Sequence, residues 1–196
     1  MKNNENKNIE IKLSSVGLPE IISERLIFKV PTEELIPQVE ELIEEFYKNS
    51  ETNIPGSGYY EGNTMEEWLE KVKNSLREET LPEGIVPCTQ FVSFNKSTGK
   101  PIGFVQVRHS LNEILLKIGG HLGGSIRPSE RNKGYATEQI VAMLEFCKGL
   151  KLSKVLVTCK EWNVASRKSI LKNGGVLENI VKTENGENQE RYWIEL

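Results

Sequence analysis

Apolar residues recur along the chain at two periods, and the points where one gives way to the other divide it into elements. Arg25–Val30 is a short apolar strand closed by Pro31. From Thr32 the spacing turns helical, with Leu35, Val39, Leu42, Ile43 and Phe46 three and four apart and Pro37 in the first turns. Asn53–Gly62 (NIPGSGYYEG) breaks the pattern as a Gly/Pro/aromatic loop of the kind that lines sites. Thr64 and Glu67 form a capping box ahead of a second helix, whose apolar stripe is Trp68, Leu69, Val72 and Leu76. After Leu81–Gly84 the period becomes that of strands: Gln90–Phe94, a turn over Asn95–Lys100, Ile102–Arg108, and a third apolar stretch from Ile114 to Ile126. Gly119, Gly120, Gly123 and Gly124 interrupt that stretch and point to a bulge or to the close approach of another backbone or ligand.

A helix follows from about Gly134 to Leu150, with Ala136, Ile140, Leu144 and Cys147 on one face. Then come a buried-type strand, Val155–Cys159, and a helix from Val164 to Asn173 stopped by Gly174-Gly175. A hairpin of Val176–Lys182 and Arg191–Glu195 around Asn185-Gly186 ends the chain. The order predicts an α/β fold: a mixed, mainly antiparallel sheet with helices on both faces. Residues 1–20 hold too few apolar side chains to bury anything and read as a flexible or lightly structured leader. Residues 21–196 read as a single domain.

Charge and cysteine content narrow the function classes. A net charge of −3 provides no basic field for a nucleic-acid backbone. No apolar run approaches the ~20 residues that cross a bilayer. Cys88, Cys147 and Cys159 form no CxxC pair and read as reduced thiols of a cytoplasmic protein. No His/Cys/Asp cluster has the spacing of a metal site, so no metal is expected.

The sharpest motif is Ser125-Ile-Arg-Pro-Ser-Glu-Arg-Asn-Lys-Gly-Tyr-Ala136, running from a strand into an amphipathic helix. A strand-to-helix turn presents unpaired amides at the positive end of the helix dipole, where phosphates are held without many cationic side chains. Gly134 lets a pyrophosphate approach the backbone, Ala136 keeps the helix close to the sheet, and Arg131 and Lys133 add charge. Neither GxGxxG after a strand nor GxxxxGK[ST] occurs.

Arg131-x-x-Gly134-x-Ala136 resembles the [QR]-x-x-G-x-[GA] signature of the GNAT superfamily of N-acetyltransferases. The resemblance extends over Ile118–Ile126, Val155–Cys159, Asn163-x-x-Ser166 and Gly174-Gly175. From about Arg25 to Leu196 the chain is similar to a bacterial subgroup of predicted acetyltransferases, in which IPGSG, LLKIGGH, SIRPSER and NGGVLEN recur. This resemblance implies a splayed cleft between the strand ending at Ile126 and Val155–Cys159, with acetyl-CoA as cosubstrate. The pantetheine arm would pair with the backbone at Gly124, Ser125 and Ile126. Amides of Asn132, Lys133, Gly134, Tyr135, Ala136 and Thr137 would take the pyrophosphate, and Asn163, with Ser166, would meet the pantetheine amide. The acetyl carbonyl would sit near Gly123-Gly124, where an amide stabilises the developing oxyanion. The implied reaction moves an acetyl group to a primary amine of an unidentified small acceptor. The alternative is a non-catalytic acyl-CoA-binding or sensing domain. A homodimer is compatible with the sequence.

Acyl transfer needs a neutral amine, an oxyanion donor and a proton for the leaving thiolate. Where many members of the family carry a Tyr seven residues after the Asn, this chain has Ile170. Ser166 and Ser169 are the nearby hydroxyls for that role, and water is the substitute. His121 is the best-placed base, provided a bulge among the glycines turns it towards Gly124. His109 and Glu113 are weaker candidates. Cys159 could be an acyl nucleophile but more simply is an inert buried thiol. Arg167, Lys168 and Lys172 read as a solvated helix face. The glutamates of residues 32–80 (Glu40, Glu41, Glu44, Glu45, Glu61, Glu66, Glu67) are first of all solvent faces of two helices, and in the functional reading an anionic mouth for a cationic amine. Tyr59, Tyr60 and Trp68 line that mouth or belong to the core.

Overall fold

The computed structural model describes residues 9–196. Nine strands form one sheet: β1 (Glu10–Leu13), β2 (Pro19–Ile22), β3 (Leu26–Lys29), β4 (Cys88–Asn95), β5 (Pro101–Arg108), β6 (Leu122–Ile126), β7 (Lys154–Lys160), β8 (Val176–Lys182) and β9 (Asn188–Glu195). Their order across the sheet is β1-β2-β3-β4-β5-β6-β7-β9-β8. Every neighbouring pair is antiparallel except β6 and β7, which are parallel and matched at Leu122 and Val157 alone. Beyond that point the sheet divides into two arms, as a mixed α/β sheet with a splayed centre requires.

Helices α1 (Ile36–Lys48) and α2 (Met65–Asn74) cover one face, and α3 (Tyr135–Gly149) and α4 (Val164–Lys172) the other. Alternation along β5 sorts the two cores. Phe104 is fully buried against Phe46 of α1 and Trp68 of α2, with ring centroids 6.5 and 6.4 Å away. Each such buried apolar side chain contributes about 1.5–3 kcal/mol. α2 starts as its sequence suggests, with the Thr64 hydroxyl accepting from Glu67 N–H and the Glu67 carboxylate accepting from Thr64 N–H.

Three sequence expectations change. Residues 10–20 of the expected leader, with Ile21 and Ile22 after it, form the β1–β2 hairpin, which extends the sheet edge although β1 itself is exposed; residues 1–8 lie outside the described residues. The stretch from Ile114 is not one strand, because Leu115–Gly119 coils into a π-helical turn before β6 begins. On α3 the buried set is Tyr135, Glu138, Gln139, Ala142, Met143 and Cys147; of the expected face only Cys147 belongs to it, while Ala136, Ile140 and Leu144 pack half-buried against the core. The hydrophobic pattern misses this rotation because two of the buried residues are polar. The Glu138 carboxylate accepts from Ser23 Oγ, Arg25 N and Arg25 Nε, all at 2.7 Å. Gln139 Nε2 donates to Ser93 Oγ at 2.8 Å.

Candidate active site

Residues 121–127 alternate cleanly against β5. Arg108 N–H donates to the His121 carbonyl and Arg127 N–H to the Ile102 carbonyl, both at 2.8 Å, and the register between them has no bulge. The His121 carbonyl and both backbone groups of Gly123 and Ser125 therefore turn to β5, and Gly124 and Ile126 turn theirs to the gap. The Gly124 N–H lies just beyond the last residues paired with β7 and is exposed. On the parallel strand, Thr158 and Cys159 follow Val157, the last residue paired with β6.

At the end of β6 the chain turns into α3 through Gly134, whose φ of +84° places it in the left-handed region that glycine occupies without strain. Among the described residues the amides of Asn132, Lys133, Gly134, Tyr135, Ala136 and Thr137 find no acceptor. Six donors at the positive end of a 15-residue helix suit a pyrophosphate. The side chains that were expected to add charge are already paired. Arg131 forms a two-toothed pair with Glu51 at 2.7 and 2.6 Å and donates from Nε to the Ile126 carbonyl at 3.0 Å; Lys133 pairs with Glu130 at 2.7 Å. The Tyr135 ring lies under the Arg25 guanidinium, and its hydroxyl accepts from Asn95. The cradle is thus mainly backbone.

The glutamate-rich helices hold this turn in place. Arg127, 4% exposed, donates to Glu45 at 2.7 Å, Glu41 at 2.9 Å and the Pro101 carbonyl at 2.9 Å. Ser129 N–H donates to Glu45 at 2.7 Å. Burial would raise the Glu45 carboxyl, but hydrogen bonds from Arg127 and Ser129, with the Arg127 charge, outweigh it and hold the group at about 2. Glu41, Glu45 and Glu51 therefore serve the loop rather than an anionic mouth.

Loop 53–62 closes over the other side of β6. A Cβ at Gly56 (φ +74°) would fall 2.3 Å from the Gly123 carbonyl oxygen, so the two backbones touch and only glycine fits. Gln90 Nε2 donates to the Gly56 carbonyl at 2.6 Å, and Trp68 Nε1 to the Ser57 carbonyl at 2.9 Å. Trp68 is accordingly core and loop anchor. Tyr59 ties its hydroxyl to the Asn63 carbonyl, and Tyr60 stands exposed. The Ser125 hydroxyl, also on the α1/α2 face of β6, is buried without a partner among the described residues.

His121 does not fill the role of base. No bulge turns it to Gly124, and it is 5% exposed. Its Nδ1 accepts from Leu156 N–H at 2.9 Å while its own N–H donates to the Leu156 carbonyl at 2.7 Å. With Nδ1 occupied, a neutral ring carries its proton on Nε2 and has no lone pair left to take another. Burial, and then the nearby Arg108 charge, push it down to about 4. It is a pin at the vertex of the cleft.

Ser169 is also diverted: buried between α3 and α4, it donates to the Ala165 carbonyl at 3.1 Å and accepts from Thr137 at 3.3 Å. Ile170 is fully buried and packs on Gly175, where a Cβ would come within 2.4 Å of it, so it faces the core and not the cleft. Asn163 caps α4, its Oδ1 accepting from Ser166 N–H at 3.1 Å, and Ser166 stays half-exposed in the first turn. The Cys159 thiol is raised to about 12 by burial and by Glu190, so it is an inert thiol. His109 is bonded to Thr89 at 2.8 Å, and Glu113 is exposed on the segment before the π turn. Arg167 pairs with Glu190 and is no open cation.

The sheet is thus opened between two parallel strands, with unpaired backbone donors at the head of the next helix. The family model for the acetyltransferase (GNAT) domain matches residues 25–176, and the chain belongs to that family of acetyltransferases. No curated protein matches the chain in sequence. Solved structures of like fold include ribosomal-protein-S5-alanine acetyltransferase from Vibrio fischeri, with a TM-score of 0.66, 16% identity, and coverage of 90% of this chain and 96% of that one. A GNAT-family acetyltransferase from Bacillus anthracis matches with a TM-score of 0.63 and 20% identity over 90% and 98% of the two chains. The ribosomal L7/L12 alpha-N-protein acetyltransferase RimL in complex with coenzyme A matches with a TM-score of 0.63 and 15% identity over 95% and 98%. Among the described residues no helix is long and apolar enough to cross a membrane.

Proposed function

We propose that the protein transfers an acetyl group from acetyl-CoA to a primary amine by direct attack on the thioester. The observation that carries this reading is the alignment, along one strand and the turn after it, of the gap-facing Gly124 N–H and the unpartnered amides from Asn132 to Thr137. The pyrophosphate rests on the turn, and the pantetheine arm runs beside Gly124 and Ile126. The thioester carbonyl then meets the Gly124 N–H, which is fixed before the oxyanion forms. The neutral amine adds its nitrogen to the carbonyl carbon. The C–S bond breaks, and the amine proton passes to solvent while the thiolate takes one. A thiol of pKa about 8.5 leaves readily, so Ser166 or a water suffices where Ile170 replaces a tyrosine. Calorimetry with acetyl-CoA, followed by free-thiol release against a panel of amines, tests the reading. Binding with amine-dependent release is the expected result. Binding without release from any amine would mark the protein as a sensor.

A further inference from the structure

Arg108, at the end of β5, differs from the other enclosed arginines. Arg127, Arg167 and Arg191 each pair with a glutamate, whereas among the described residues no carboxylate reaches Arg108. Its Nη1 donates to the carbonyls of Gly119 at 3.3 Å and Gly120 at 3.1 Å, which fixes the guanidinium head. Nε and Nη2, the edge that takes a carboxylate with two parallel bonds, have no acceptor and are not sealed from solvent. Alternation puts Arg108 on the face of Phe104 and Gln106, beneath the loop of residues 53–62. Nη1 lies 3.7 Å from where a Cβ on Gly123 would be, one residue from the amide assigned to the oxyanion. The pyrophosphate cradle is at the opposite end of β6, so Arg108 stands on the side from which an acceptor must approach.

We propose that Arg108 is the acceptor's anion anchor, and that the acceptor carries a carboxylate within roughly two residue rises (~7 Å) of the amine that is acetylated. The inference rests on the acetyltransfer reading above. Both a free amino acid and a peptide with an acidic residue at its amino end present that chemistry. A polyamine or an aminoglycoside does not. Holding the carboxylate in the fork orients the amine, and the partly desolvated site strengthens the pair.

The test uses matched acceptors that differ only in charge: amino acids and their carboxamides, and short peptides with Asp/Glu or with Asn/Gln at the first two positions. Turnover is read as kcat/KM with saturating acetyl-CoA. Binding of the N-acetylated products to the CoA complex is read by calorimetry, which reports even if turnover is absent. Wild type should favour the carboxylate member by about 10-fold or more in both readouts. Arg108→Gln should abolish the preference, bringing the charged and neutral members within about 2-fold of each other, while acetyl-CoA affinity changes by less than about 3-fold. The arm that shows the preference, amino acid or peptide, identifies the source. Equal use of charged and neutral members by wild type would overturn the proposal, and that measurement does not depend on the variant folding. So would an Arg108→Gln protein that keeps the preference. If no acceptor releases CoA, the acetyltransfer reading fails, and the product-binding arm still decides whether Arg108 selects a carboxylate.

Discussion

The two arms of the cleft are built from the same materials and left in opposite states. On the β7 side the side chains satisfy one another. Glu190 accepts from Arg167 at 2.7 and 2.6 Å and from the Tyr192 hydroxyl at 2.9 Å. Thr158 donates to the Ile118 carbonyl and accepts from Gln189. On the β6 side two successive glycines expose a strand edge, the Ser125 hydroxyl is orphaned, and six amides at the head of α3 have no acceptor. A closed network makes a rigid wall, and open donors make a binding surface. On the proposed reading, ligand capacity resides in backbone left unpaired, and the charged side chains around it are occupied in keeping that backbone still.

The sharpest way to break this contrast is to remove one donor from the open arm. Gly124→Pro deletes an N–H that faces the gap and not β5, so the ladder survives. We expect kcat to fall by about 10²–10³-fold, the usual cost of losing an oxyanion donor. Gly124→Ala keeps the N–H and meets Phe104 O at 3.3 Å and Gln139 at 3.4 Å, so it controls for crowding. Equal losses in both variants would remove Gly124 from the chemistry. A smaller effect is expected at the cradle. Gly134→Val forces a β-branched residue to φ +84°, although there is room for its Cβ, whose nearest neighbour is Arg25 Nη2 at 3.5 Å. Acetyl-CoA affinity should drop about 10–100-fold in a protein that still folds, as calorimetry beside a thermal melt would show. Unchanged affinity would mean that the phosphates lie elsewhere.

The closed arm should respond in stability instead. Glu190→Gln weakens the bonds to Arg167 and Tyr192 and should cost about 1–3 kcal/mol in urea unfolding, with kcat within about 2-fold of wild type. A large fall in kcat at unchanged stability would give the β7 arm a direct part in catalysis.

The sequence makes these arms unequally readable. The β6–α3 turn is legible because a phosphate cradle needs glycine and a helix start in fixed order, and Arg131–Ala136 shows both. Periodicity locates the four α-helices and the strands from β3 onwards, but it runs the π-helical turn Leu115–Gly119 into β6. It misses the β1–β2 hairpin, where β1 is exposed throughout and Ile21 is the one residue buried in the core. It also misassigns the buried face of α3, where Glu138 and Gln139 replace apolar residues. Arg108 and Gln106 left a faint trace: they continue the alternation of Phe104, so polar residues stand where a buried face should run. At His121, position along the strand carries nothing of the hydrogen bond that fixes the tautomer, which comes from Leu156 of β7, 35 residues on.

His121, too, should act on stability and not on turnover. A buried histidine held neutral at about 4, against about 6.5 in the unfolded chain, binds fewer protons folded than unfolded at any pH between those values. Its contribution to stability is therefore complete above pH 6.5 and is lost as the pH falls towards 4, at about 1.4 kcal/mol per unit at most. His121→Gln cannot titrate. Wild type should lose more stability than this variant between pH 7 and 4.5, a difference that cancels the response of the carboxylates common to both. Urea midpoints at three pH values measure it. At pH 7.5 the variant should be less stable, since the paired bonds to Leu156 are disturbed, while kcat/KM stays within about 3-fold and its pH profile keeps the same acidic limb. A flattened acidic limb in His121→Gln, with the fold intact, would restore the histidine as base. It would also require the vertex of the cleft to open during turnover, because the Nδ1 lone pair can be released only by breaking the bond from Leu156.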